Sequence, residues 1–140
     1  MCKKTHAVKR RSDGRRRSGV AVVELAFCLP ILVVLLIGTI EACVMLQLQQ
    51  NLAVTAYEGA RVGIMPGMDA DTVNFQCQLI LDDRNINGYT ITLDPVDPQS
   101  MNLGDEFKVT ITADCSANAV VGGMFFNGKA ISESVVMRVE

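Results

Sequence analysis

The chain has a single histidine, His6, and no Cys-x-x-Cys pair among its five cysteines. That excludes the usual zinc-site spacings. It also lacks a phosphate-binding glycine loop and any nucleophile–base pairing, so catalysis has little to work with and neither an enzyme nor a cofactor is expected. Asp69-Ala70-Asp71 opens like a calcium loop, but the sixth position is Asn74 instead of Gly and the twelfth is Ile80 instead of Glu. Positive charge is scarce after the first residues. Residues 20–140 hold five Lys/Arg against fourteen Asp/Glu, a balance of −9. No internal repeat is visible.

The basic residues are gathered at the start. Residues 1–19 hold eight Lys/Arg and one Asp, a balance of +7, and include Lys9-Arg10-Arg11 and Arg15-Arg16-Arg17. An apolar stretch follows directly. A basic arm can bind nucleic acid, but next to an apolar helix it fits the cytoplasmic flank of a membrane segment, and no nucleic-acid partner is expected. Leu25 to Leu46 is 22 residues with one charged side chain, Glu41. At about 1.5 Å per residue this crosses a hydrocarbon core of roughly 30 Å. A cleaved secretory signal would have a shorter apolar region, about 7–15 residues.

The apolar helix continues past the membrane. Met45, Leu48, Leu52, Ala56 and Gly59 recur at spacings of three and four, the stripe of an amphipathic helix. Gly63 and Pro66-Gly67 are stop signals. Pro30 lacks a donor and predicts a kink. Residues 69–84 read as a second helix, capped by Asp69 or Asp71 and buried through Val73, Cys77, Ile80 and Leu81. The period then changes to two. Tyr89-Ile91-Leu93 and Phe107-Val109-Ile111 each alternate with polar residues, and Ile131 to Val139 forms a less regular third strand. The expected fold is α+β. A long membrane-spanning helix runs into a small domain with a short helix and a roughly three-stranded antiparallel sheet. The boundaries are a leader at 1–19, a transmembrane helix at 20–46, a helix extension at 47–61 and an exported domain at 62–140. Met124-Phe125-Phe126 is an apolar run in a loop, either core plug or exposed contact.

The junction Ser18-Gly19-Val20, with Glu24 at the fifth apolar position, resembles the processing site of type IV pilin-like proteins. Three stretches extend the likeness to a family. Arg17-Ser18-Gly19-Val20-Ala21-Val22-Val23-Glu24-Leu25-Ala26 is the first, and Pro30-Ile31-Leu32 to Gly38-Thr39-Ile40-Glu41 the second. Leu48-Gln49-Gln50-Asn51-Leu52 to Thr55-Ala56-Tyr57-Glu58-Gly59-Ala60-Arg61 is the third. In order and spacing they resemble the TadE-like proteins, pilin-like components of the tight adherence (Tad) pilus machinery. Leu25 stands where many processing sites carry an aromatic residue, and Tyr57 where the family often has Arg. The resemblance implies a single-pass protein of the bacterial inner membrane with its N-terminus in the cytoplasm. It implies cleavage by a prepilin peptidase after Gly19, before Val20, and a role as a minor pilin-like (pseudopilin) subunit in assembling an adhesive pilus. The implied partners are the peptidase, other pilin-like subunits and inner-membrane lipid. An uncleaved, signal-anchored envelope protein with a small outward-facing binding domain is the alternative.

Several residues keep two readings. A glycine gives a peptidase close backbone approach, but Gly19 also suits a helix start. Glu24 can pair with the new amine of Val20, on its own chain or a neighbouring subunit, and set the register of assembly. Alternatively it stays wet at headgroup level. Glu41 lies 17 residues further, about 26 Å along a helix, as a solvated interfacial acid or a partner contact. Glu58 and Arg61 can form a surface pair or touch a partner. Cys77 and Cys115 form one disulfide, worth roughly 3–4 kcal/mol in the chain-entropy model, or remain two buried thiols.

Overall fold

The structure, a computed structural model, describes residues 14–122 and 126–140, with residues 14–18 described by their backbone alone. Cys2 and His6 of the leader lie outside the described residues, as do Gly123, Met124 and Phe125. Among the described residues the order is α1 (Gly14–Gly63), α2 (Ala70–Asp83), β1 (Tyr89–Asp94), β2 (Glu106–Asp114) and β3 (Ala130–Arg138). The fold is α+β, as the change of period from 3.6 to 2 along the sequence requires.

The chain divides into two units after Leu36. In the first, α1 is helical through Pro30, and its side chains from Gly19 to Leu36 are all exposed. The segment Gly19–Gly63 is long and apolar enough to cross a membrane. Helix assignment begins at Gly14, five residues before the position at which the apolar pattern alone starts it.

The second unit, Ile37–Glu140, holds the core. Its part of α1 buries Glu41, Met45, Leu48, Leu52, Thr55, Ala56 and Ala60, one stripe at helical spacing. The core therefore takes in α1 from Glu41, above which the hydropathy boundary at residue 46 falls. A side chain facing lipid and one facing a protein core are equally apolar, so hydropathy cannot separate them. Thr55 is tolerated in this stripe because its hydroxyl donates to the Asn51 carbonyl at 2.8 Å.

Helix α2 begins where Asp69 accepts from the Thr72 amide at 2.8 Å; Asp69, not Asp71, is the cap. It buries Val73, Cys77 and Leu81, while Ile80 is half-buried. Arg84, just beyond it, donates to Asn51 of α1 at 2.7 Å. The sheet is an antiparallel meander in the order β1-β2-β3. Central β2 carries Phe107, Val109, Ile111 and Ala113, all without exposure. Edge strand β3 half-buries Ile131, Glu133, Val135 and Met137 on its inner side. Glu133 is what makes the alternation irregular in sequence, and Gln49 of α1 donates to it at 2.7 Å.

Two glycines set how closely α1 approaches the other elements. A Cβ on Gly63 would lie 2.1 Å from the Phe107 ring, and one on Gly59 would lie 2.5 Å from the Cys77 sulfur. Neither distance is compatible with a side chain, so these positions need glycine for space. Fully buried Leu52 and Phe107 each contribute about 1.5–3 kcal/mol by leaving water.

Candidate functional site

The residues of interest fall on α1 and at the helix-facing side of the core. Gly19 lies within α1, and a Cβ there would meet nothing within 4 Å. Packing thus places no demand for glycine at position 19, in contrast to Gly59 and Gly63. Val20 and Glu24 are one i,i+4 step apart on this helix and so share a face. Glu24 is exposed. Around it the apolar surface is continuous: Val20, Phe27, Ile31 and Leu35 are 60%, 75%, 63% and 60% exposed. A soluble protein would not leave such a surface to water.

Glu41 behaves differently from Glu24. It has 0% exposure, so other parts of the chain close over it. This overturns the solvated interfacial acid, one of its two readings, because the core reaches further down α1 than hydropathy shows. Glu58 and Arg61 do meet, with guanidinium Nη1 3.4 Å from the carboxylate Oε2 on an open surface. Such an i,i+3 pair contributes only a few tenths of a kcal/mol.

Cys77 and Cys115 are both buried free thiols, the second of their two readings. The Cys77 sulfur is directed at α1, where it donates weakly to the Thr55 carbonyl at 3.9 Å and lies against Gly59. Burial pushes the Cys77 thiol up to about 11. Burial also raises the Cys115 thiol, helped by the negative charge of Asp114 and opposed by Lys129. Neither thiol is therefore activated at neutral pH. The Thr72 hydroxyl, then its amide, hold the Asp69 carboxyl below its ordinary value, as expected of a cap.

The structure thus brings Val20 and Glu24 to one face, joins Glu58 to Arg61, and leaves Cys77 unbonded to Cys115. Sequence reasoning did not find the packing roles of Gly59 and Gly63. Their spacing of four on the apolar stripe was the available signal, since small residues at that interval allow close approach.

Residues 19–61 match the family model described as TadE-like protein. The match begins at Gly19, contains Glu24, Glu41, Glu58 and Arg61, and ends where α1 ends to within two residues. No curated protein and no solved structure matches the chain.

Proposed function

We propose that the chain is a minor pilin-like subunit that takes part in assembling a Tad-type adhesive pilus after a prepilin peptidase cleaves it following Gly19. The observation that carries this reading is the coincidence of three features at one point of α1. The TadE-like match starts at Gly19, packing does not require glycine there, and a fully exposed apolar helix follows. In this reading residues 1–19 remain in the cytoplasm, the helix crosses the bacterial inner membrane, and the acidic unit is exported.

Gly19 serves the peptidase twice. It lets the enzyme approach the backbone, and it eases local unwinding of the helix by about 1 kcal/mol relative to alanine. Cleavage creates a charged amine at Val20. Glu24, on the same face, pairs with that amine on its own chain or on a subunit already assembled, which offsets the cost of a carboxylate in apolar surroundings. The helix then exchanges lipid for neighbouring helices. Lipid tails and side chains are equally apolar, so close packing at Ala21, Ala26, Gly38 and Ala42 favours the exchange. Glu58 and Arg61 present a charged pair to a partner subunit. The role is structural, with no catalytic residue.

The test is the N-terminal sequence of membrane-extracted protein from cells with and without their prepilin peptidase, alongside the Gly19→Arg variant. A start at Val20 only when the peptidase is present, and no shortening of Gly19→Arg, is the expected result. A start at Met1 or Cys2 in both cells leaves a signal-anchored envelope protein with an outward-facing binding domain.

A further inference from the structure

Helix α2 buries one face through Val73, Cys77 and Leu81. The opposite face of a surface helix is expected to be polar, but that of α2 carries Phe75 and Leu79. Each stands two residues from Cys77 and so on the far side of the helix, and they are 66% and 55% exposed. One exposed apolar side chain alone means little, whereas two at i,i+4 are neighbours on the helix surface and make a patch. With Asp71 and Asp83 they form one ridge at intervals of four, Asp71-Phe75-Leu79-Asp83, exposed throughout and about 18 Å long. Beside its end an open hollow is lined by Leu79, Ile80, Asp83 and Arg84.

The stability of the unit itself does not call for this ridge. Phe75 and Leu79 leave most of their surface in water. Asp82 and Asp83 occupy the last turn of α2, which holds no basic residue and where the helix dipole disfavours acids. Asp82 accepts from the Tyr89 hydroxyl at 3.0 Å. The cation nearest in sequence, Arg84, donates to Asn51 of α1 at 2.7 Å. The ridge is therefore apolar at its centre and acidic at both ends.

We infer that this ridge of α2 docks an amphipathic helix of a different protein, one whose apolar residues are flanked by lysine or arginine. Such a helix covers Phe75 and Leu79, brings cations to Asp71, Asp82 and Asp83, and offsets the adverse dipole at the end of α2. A second copy of this chain does not supply that surface. Residues 37–140 hold five Lys/Arg against thirteen Asp/Glu, and the five are dispersed. Arg61 lies 3.4 Å from Glu58 and Arg138 3.8 Å from Glu106. Lys108 stands opposite Asp94 in the sheet, Lys129 lies over the Phe126 ring, and Arg84 is engaged by Asn51. The leader at residues 1–19 is basic, but Met1, Cys2, Ala7 and Val8 are its only apolar side chains, too few to cover the pair. An anionic lipid surface is repelled by the acids of the ridge. Every residue of the ridge lies in α2, so the inference does not depend on cleavage after Gly19.

The test is photo-crosslinking of the full chain in the cells that naturally make it. Phe75 or Leu79 is replaced by the photoreactive p-benzoylphenylalanine, with Leu103, 81% exposed and outside α2, as the control position. Both α2 positions are expected to form adducts with one other protein, and the control is not. Mass spectrometry should place the adducts in a segment with apolar residues three and four apart and Lys/Arg beside them. Asp83→Lys separates docking from folding. A cation in the last turn suits the helix dipole, so the urea midpoint should not fall, yet the adduct from position 79 should drop about fivefold. An adduct yield unchanged by Asp83→Lys overturns the inference. So do adducts with a second copy, with lipid or with a segment lacking cations, and so does the absence of adducts at both α2 positions.

Discussion

The two halves of α1 share one secondary structure and opposite surroundings. From Gly19 to Leu36 no side chain is buried, whereas from Glu41 to Gly63 one stripe is closed off from solvent. The lower half is apolar on every side and depends on lipid or other helices for its burial. The upper half is apolar on one side and supplies its own core. Glycine shows the difference at single-residue scale: a Cβ is free at Gly19 and impossible without movement at Gly63. The same residue type is thus demanded by close packing in one half and not in the other.

The comparison breaks most sharply at leucine. Leu52→Ala opens a cavity in a fully buried site and should cost about 2–5 kcal/mol of the globular unit's stability. Leu32→Ala, on the exposed half, should leave chemical denaturation of the unit unchanged. Equal losses from both would show that the halves are not distinct. Next comes glycine. Gly63→Ala drives a methyl into the Phe107 ring and should cost about 1–3 kcal/mol, whereas Gly19→Ala should be neutral or slightly favour helix.

A smaller effect follows from alkaline pH. Cys77 keeps its proton in the folded state up to about 11, against an ordinary value of 9.0. The unfolded chain ionises first, so its contribution is intact below pH 9 and is lost as pH rises through 11. Cys77→Ala should flatten that part of the stability profile relative to the parent chain. Smallest is the surface pair: Glu58→Ala should shift stability by no more than about 0.5 kcal/mol. If the same variant disturbs pilus assembly, Glu58 acts on a partner and not on its own fold.

Elements with a strong period could be read directly from the sequence. The α1 stripe from Met45 to Gly59, a cap at Asp69 or Asp71 and the alternation in β1 and β2 are local patterns that match the structure, which selects Asp69 as the cap. What could not be read was long-range. Gly63 reads as a helix stop, and only the placement of Phe107 more than forty residues later shows it as a contact. Glu41 keeps two readings in the sequence, a solvated acid or a partner contact, because a lone acid in an apolar run gives no sign that the chain itself closes over it. Cys77 and Cys115 allow a bridge on paper, but helical phase turns the Cys77 sulfur toward Gly59. For Gly19 and Glu24 the signal in the sequence is local spacing, and the structure adds that Val20 and Glu24 share a face of α1.

Glu133 has a bearing on how copies of the chain can associate. It occupies an inner position of β3, an edge of the sheet, with its carboxylate engaged by Gln49. A charge pointing inward on an edge strand penalises any second strand that would extend the sheet there, since the new ladder would strip water from the carboxylate. Growth through strand addition at β3 is thereby discouraged.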